Sequence, residues 1–551
     1  MVIYTNPEPL NYPQDATITD VLFRHNLNDT PDQKPAIIDG ISGEVVFTYA
    51  TFRESVRKVA RHLRHEVGVK EGAVVGILST NKNYYPICVH AILAVGGVVS
   101  ALNPLYEPNE LAHALGLSEP AHVLAEEALL PKLVAALGTL PSLFEKPSLH
   151  VWDTAESEPG VYAALDVESI IQNGVADFQP PRYAPGTAAK KLAFICFSSG
   201  TSGLVKGVKL SHGNIVSNIF QQSQGLRGMF TPQTVVALIV PFFHVLGLAG
   251  FCCQYVCQGA PIVTFKRFEV GPLMEAVNKY SITHINVVPP IALELLRNSA
   301  AQGEYPSVKC LINAAAPLNQ RQADQLCEKF GCVVTQWYGM TEASPSIASQ
   351  RENEVEIPGT IGRLLPGIEM RIVDEDFNDA RVGEFAIRGP NIMQGYVDSG
   401  KRSDSPHTPD GFLRTGDIGH VDENGYLYIV DRAKEMIKVK GNQVAPAELE
   451  AILITHPRVT DAAVCGIYNE HGTSEMPVGY ITTDVQGGEE QQLLKDDVLK
   501  HVHSQVSRYK QITGGLHVLH AIPRNPAGKI LRRLLPAKLQ AANRSSVPSR
   551  L

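Results

Sequence analysis

Apolar and polar positions alternate with two different periods in the first third of the chain. Phe52, Val56, Val59, Ala60 and Leu63 recur at helical spacing, and Thr51 with Glu54 predicts a capping box at the start of that helix. Residues 74–78 form a short apolar run after a glycine turn and read as a buried strand. Residues 84–95 are apolar for long enough to be a buried helix, and 98–102 read as the next strand. Further apolar strands are expected at 192–197, 285–288 and 310–314. Strand and helix signals in turn predict parallel sheets covered by helices. Near Glu369 the texture changes to short strands and glycine turns, at 384–388 and 425–430, which predicts a small β-rich unit or barrel. After Arg432 a Lys-rich stretch at 434–442 precedes a helix at 446–454, strands at 462–467 and 478–483, and a helix at 494–506. That is the pattern of a separate α+β domain of about 115 residues.

The expected architecture is therefore α/β. A large N-terminal domain, 1–433, holds two helix-covered sheets plus a small β-barrel unit, and a small mobile α+β domain, 434–551, follows. Composition adds limits. With 44% hydrophobic and 19% charged residues the chain is globular, and its net charge of −8 argues against nucleic acid as the main partner. Nine cysteines include no CxxC pair, and Cys252, Cys253 and Cys257 read as small buried hydrophobes rather than a metal site. Residues 1–20 lack a basic and an apolar leader segment, so a reducing compartment is expected. Residues 235–265 carry no charge and are long enough to span a bilayer, but Pro241, Pro261, His244 and the Gly/Gln positions at 247–259 favour strand, turn and helix in a buried core. No transmembrane segment is expected.

The strongest local signal is Ser198-Ser199-Gly200-Thr201-Ser202-Gly203-Leu204-Val205-Lys206-Gly207, entered directly from an apolar strand. Successive backbone N–H groups, hydroxyls and the Lys206 charge suit a polyphosphate. The loop does not match the Walker A pattern. A flexible linker is the bland alternative, and a linker rarely sits between two apolar segments. Farther along come Gln336-Trp337-Tyr338-Gly339-Met340-Thr341-Glu342, Tyr396, Thr415-Gly416-Asp417, Asp431-Arg432 and Pro526-Ala527-Gly528-Lys529.

In content and order these motifs resemble the acyl- and aryl-adenylate-forming, AMP-binding superfamily, over essentially the whole chain. Pro241-Phe242-Phe243-His244 and Lys438-Val439-Lys440-Gly441-Asn442-Gln443 bring it nearest to the 4-coumarate–CoA ligase-like and peroxisomal acyl-CoA ligase branch. The resemblance implies an ATP-dependent acid–CoA ligase that makes acyl-AMP with pyrophosphate release and then a CoA thioester, using ATP, Mg²⁺ and coenzyme A. It implies that Ser198 to Lys206 hold the β- and γ-phosphates, that Thr341 contacts phosphate, and that Glu342 holds Mg²⁺. Without the motif, Glu342 would read as a loop carboxylate. Gln336, Trp337 and Tyr338 would flank adenine; Trp337 stands where a small residue is usual and alters either nucleotide stacking or the acid tunnel. Asp417 would hold the ribose, with Arg432 assisting. Lys529 would bridge the substrate carboxylate and the α-phosphate in the first half-reaction; out of context it would be one more surface lysine.

The resemblance also implies a hinge at Lys434, contact of Lys438 with the adenylate in a second conformation, and a CoA path past Lys440, Gly441 and Arg267. A solvated charged strand is the alternative for 434–440. His244 would lie beside the acid and thiol channels, where a buried histidine would otherwise be structural. Leu246, Gly247, Gly250 and Ala314 to Ala316, with Ala315 central, would line the acid pocket. These residues are small or apolar and favour a hydrophobic acid: aryl, arylalkyl or medium-chain fatty. The absence of a carboxylate there argues against an amino acid. Ser549-Arg550-Leu551 is a conservative version of the peroxisomal Ser-Lys-Leu address, so an import receptor is an expected partner and the peroxisomal matrix the expected location, with the cytoplasm otherwise. Three alternatives stay open. One is an adenylating enzyme that loads a separate carrier protein, another a luciferase-like oxygenase, and the third a nucleotide sensor, against which intact Glu342, Asp417 and Lys529 argue.

Overall fold

The helix foreseen around Phe52 begins three residues early, at Tyr49, and runs to His62. Thr48 is its N-cap and Thr51 closes the capping box, while Glu54 pairs instead with Lys58 one turn on, at 2.8 Å. The strand Val45–Thr48 delivers Thr48 directly to that position, and Tyr49 and Phe52 are both buried, so tertiary burial sets the start. In this computed structural model the described residues are all except 26, 155–157, 159–160, 200–204, 317, 319, 356, 398–405, 440–441, 469–473, 526–527 and 536–551.

They divide into two compact units, one comprising 4–369 and 388–406, the other 1–3, 370–387 and 407–551. The larger unit holds two sheets. The first, in spatial order, is Gly395–Tyr396, Val205–Ser211, Leu192–Ser199, Val98–Leu102, Val74–Leu78, His122–Ala125, Ser148–Val151 and Ala163–Ala164. Its centre is parallel, and Val205–Ser211 turns back antiparallel on Leu192–Ser199. The helix Tyr85–Ala94 is buried at all ten positions, as expected of a helix that is apolar on every side.

The second sheet runs Arg363–Leu364, Ser346–Ser349, Val333–Gly339, Cys310–Asn313, His284–Val287, Val236–Leu238, Ile262–Thr264, Pro35–Asp39 and Val45–Thr48. The uncharged stretch 235–265 is thus divided into a strand, the helix Leu246–Tyr255 and a second strand. No helix among the described residues is long and apolar enough to cross a membrane. Cys252, Cys253 and Cys257 are buried free thiols, and burial pushes the Cys257 thiol up to about 12. Among the described residues no cluster of three or more side chains could hold a metal ion.

The second unit combines an antiparallel sheet, Glu369–Val373, Val382–Arg388, Leu413–Val421 and Leu427–Arg432, with an α+β part. The α+β part has the strands Asp461–Tyr468, Glu475–Thr482 and Leu516–Val518 and the helices Pro446–Thr455 and Gly488–His503 around one apolar cluster. The boundary expected after 433 therefore falls inside this unit. The reason is local: Ala447 donates its N–H to buried Asp431 at 2.9 Å, joining the helix to the end of the strand before it. The Lys-rich stretch forms a hairpin, Ile437–Val439 with Asn442–Val444, that buries Ile437 and Val439 and leaves Lys438 exposed.

Candidate active site

Glu342 is the centre of a cluster in the larger unit. It lies in a short turn, 341–343, just after the strand Val333–Gly339, and is only 6% exposed. Gly339 is required at the end of that strand, because a Cβ would lie 2.1 Å from the Pro345 carbonyl oxygen. The Met393 N–H donates to the Glu342 carbonyl at 2.9 Å and fixes the turn from outside. Two hydroxyls, Ser198 Oγ and Tyr396 OH, donate to the same carboxylate oxygen, Oε1, each at 3.0 Å. The Lys206 ammonium stands 4.7 Å from the centroid of the Tyr396 ring, and Lys206 pairs with Ser198 across the antiparallel strands. Burial, with the Glu342 charge adding to it, raises the Tyr396 phenol above its ordinary value, so Tyr396 remains a donor. Thr341 is half-buried in the same turn. Of the phosphate loop, Ser198, Ser199 and Lys206 have described backbones, and Gly200, Thr201, Ser202 and Gly203 lie outside the described residues.

Strand alternation separates the expected adenine neighbours. Gln336 and Tyr338 share one face and Trp337 points to the other. Gln336 is held by the Leu318 carbonyl at 2.9 Å and by Asn313 at 2.7 Å. Trp337, 8% exposed, packs edge-on against Phe230, whose ring also meets Tyr255 at the end of the helix Leu246–Tyr255. Trp337 therefore faces Phe230 and the end of the helix Leu246–Tyr255, opposite Gln336 and Tyr338.

That pocket's residues gather at the start of the same helix. Gly247 is there because a Cβ would meet the Pro241 carbonyl oxygen at 2.1 Å. Gly250 lies beside Leu246, whose Cδ1 would be 3.2 Å from an added Cβ. His244 accepts the Leu246 N–H on Nδ1 at 3.3 Å, and burial lowers its pKa to about 4, so the imidazole is neutral near pH 7. Asn81 holds the neighbouring Phe242 N–H at 2.9 Å, and Tyr85 stacks on the Phe242 ring at 4.9 Å. Ala315 is exposed and has a left-handed backbone, φ +70°, a conformation that costs an alanine on the order of 1–2 kcal/mol. Arg267 is 80% exposed and paired with Glu269.

The second unit carries its own cluster. Asp417 and Arg432 face each other across antiparallel strands, and Arg432 Nε lies 2.9 Å from Asp417 Oδ1. Asp417 is 3% exposed. Its N–H is donated to Thr415 Oγ1, and that hydroxyl donates to the Phe385 carbonyl. Lys529 sits in a tight loop in which its N–H is donated to Asn525 Oδ1 at 2.8 Å and its carbonyl accepts the Asn525 N–H at 2.9 Å. Arg524 ties the loop down through the Gly528 carbonyl and Asp461. Burial lowers the Lys529 pKa and Arg432 adds to the lowering, while Glu435 and Asp417 oppose it. Lys434 and Lys438 are exposed, and Lys440 and Gly441 lie outside the described residues.

Sequence reasoning assigned no role to Tyr396, Glu435, Arg532 or Glu450. Tyr396 lies 54 residues beyond Glu342, and no local pattern marks it as the carboxylate's donor. Glu435 directly follows the expected hinge lysine, which is the one signal that could have drawn attention to it.

A buried carboxylate held by hydroxyls beside a lysine in the larger unit, and an Asp–Arg pair beside a partly desolvated lysine in the other, are arrangements that each suit charged oxygen ligands. The two helix-covered sheets and the smaller C-terminal part make an α/β fold. Residues 23–397 match the AMP-binding enzyme family and 448–529 the AMP-binding enzyme C-terminal domain. The chain belongs to that family and is an AMP-forming acid–CoA ligase by type. It is 33% identical over 548 residues to a probable 4-coumarate–CoA ligase 1 of Dictyostelium discoideum, covering 97% of each chain. It is 32% identical to the peroxisomal OPC-8:0-CoA ligase 1 of Arabidopsis thaliana over 507 residues, 90% of this chain and 89% of that one. It is 32% identical to the phenylacetyl-CoA ligase epaB of Aspergillus niger over 523 residues, 92% and 94%. The fold matches ATP-bound MatB from Rhodopseudomonas palustris with a TM-score of 0.82 at 23% identity, covering 96% of this chain and 99% of that one. It matches the anthranilate CoA ligase AuaEII in complex with anthranoyl-AMP with a TM-score of 0.83 at 21% identity, covering 97% and 99%.

Proposed function

We propose that the chain activates a hydrophobic carboxylic acid, aryl, arylalkyl or medium-chain fatty, as acyl-AMP and transfers the acyl group to coenzyme A. The observation that carries this reading is the grouping of Asp417, Arg432 and the desolvated Lys529 in one unit. An acidic acceptor suits ribose hydroxyls, and a buried ammonium suits charge that develops at phosphorus. In the first step a carboxylate oxygen attacks the α-phosphorus, the bond to the β-bridging oxygen breaks, and pyrophosphate leaves. Lys529 stabilises the charge on the α-phosphate and the incoming carboxylate. Lys206 and the Ser198 to Gly203 loop take the pyrophosphate. Glu342, whose carboxylate takes two hydroxyl donors on Oε1, would hold Mg²⁺ as a hard oxygen ligand, and the ion would supply positive charge beside the phosphates of ATP.

In the second step the CoA thiolate attacks the acyl carbon and AMP departs. His244, neutral near pH 7, gates or hydrogen-bonds there rather than supplying charge. Domain alternation about Lys434, with Lys438, Lys440, Gly441 and Arg267 toward CoA, belongs to this proposal. So does import into peroxisomes through Ser549, Arg550 and Leu551, which lie outside the described residues; the Arabidopsis relative is named peroxisomal. The relatives named for coumarate and phenylacetate support an aryl or arylalkyl acid.

The test is acid-dependent pyrophosphate release across aryl and C4–C16 acids, with and without CoA. CoA-dependent turnover with thioester accumulating is expected. Adenylate that forms but ignores CoA would move the carrier-protein reading to first place.

A further inference from the structure

Lys529 must reach its task charged and aimed, yet it is partly desolvated and has Arg432 among its neighbours. Of the two carboxylates that oppose the loss of its proton, Asp417 is engaged by Arg432 at 2.9 Å. Glu435 is the other, and its Oε1 lies 3.8 Å from Lys529 Nζ. Glu435 is itself held from two sides. Its backbone N–H is donated to the Arg432 carbonyl at 2.9 Å. Its second oxygen, Oε2, takes Arg532, whose guanidinium is held on other sides as well: Nε donates to the Val464 carbonyl at 2.9 Å and Nη2 to both Glu450 oxygens at 2.8 Å. Glu450 in turn accepts the Val464 N–H at 2.7 Å. These side chains are mostly buried, 12–26% exposed, so the ion pairs are screened far less than on an open surface.

We infer that Glu435 is the positioning residue for Lys529, a carboxylate fixed by Arg532 that orients the ammonium and keeps it in its loop until substrate oxygens replace it. At 3.8 Å the contact is long enough to be exchanged for a phosphate oxygen, and Arg532 keeps Glu435 from following the lysine. The charged groups facing Lys529 are Arg432, Glu435, Asp417 and Arg532, and removal of Glu435 leaves the cations in the majority. This rests on the assignment of Lys529 to the adenylation step.

The experiment compares wild type, Glu435→Gln and Glu435→Asp in the full chain, measuring acid-dependent pyrophosphate release against pH and, separately, thioester formation from supplied acyl-AMP. For E435Q we expect adenylation to fall roughly tenfold and its alkaline limb to move down by about one pH unit, with thioester formation within about twofold of wild type. E435D should restore part of both effects. Competitive acylation of the Lys529 amine against pH reads the same shift without catalysis, so a poorly active variant is still informative. An unmoved alkaline limb and labelling curve, or equal loss in both half-reactions, overturns the positioning role. Wild-type protein that releases no pyrophosphate with any acid overturns the ligase reading instead.

Discussion

Tyr396→Phe removes one hydroxyl from the Glu342 cluster and leaves the ring that stands against Lys206. The bond lost is a 3.0 Å donation to a carboxylate that is only 6% exposed. A hydrogen bond to a charged group contributes about 1.5–3 kcal/mol, and Tyr396 is half-buried, so the lower half of that range applies. Ser198 still donates to the same oxygen at 3.0 Å, so the carboxylate is loosened rather than stranded. If the loss is felt in how Glu342 presents itself to Mg·ATP, about 1.4 kcal/mol corresponds to a tenfold weakening. The expected result is a KM for Mg·ATP raised about 10- to 40-fold in pyrophosphate release, with the KM for the acid unchanged. The Ser198→Ala/Tyr396→Phe double variant should lose more than the sum of the singles, because in each single variant the remaining hydroxyl still holds Oε1. Mg·ATP dependence identical to wild type in Tyr396→Phe, together with strict additivity in the double variant, would refute the argument that these hydroxyls hold Glu342 for the nucleotide.

Lys529→Ala should reduce adenylate formation by several hundredfold and leave thioester formation from supplied acyl-AMP within a few fold; equal losses would remove Lys529 from the first half-reaction. The fold should also weaken in mild acid. Burial lowers the pKa of His90, His212 and His244, and of His150 with His122 and His62 adding to it, to about 4 in each case. Between about 6.5 and 4 the unfolded chain binds protons that the folded one refuses, so stability falls as pH drops through that window. Four such groups set an upper slope of about 5 kcal/mol per pH unit. A thermal-unfolding midpoint that stays flat from pH 6.5 to 5 would contradict this.

Much of the chemistry was legible in the order of short motifs. The strands at 74–78 and 98–102 fell where the apolar runs put them, and the buried reading of 235–265 held. These features are local: a run of apolar residues or a glycine turn depends on neighbours a few positions away, and one chain suffices to read them. The capping box was placed three residues late, because the pair that forms it is Thr48 with Thr51 and buried Tyr49 already belongs to the helix. Gln336, Trp337 and Tyr338 were grouped through the family motif, and strand alternation places Trp337 on the face opposite the other two.

The sequence alone determined the class of fold, the adenylate-forming chemistry and the candidate residues Glu342, Asp417 and Lys529. Only the tertiary structure decided who holds them. Tyr396 and Ser198 reach Glu342 across 54 and 144 residues of chain, and Arg532 reaches Glu435 across 97. A side chain's charge, exposure and aim depend on which distant backbone folds against it, and a carboxylate is surface decoration or a buried ligand according to that packing and not to its neighbours in sequence.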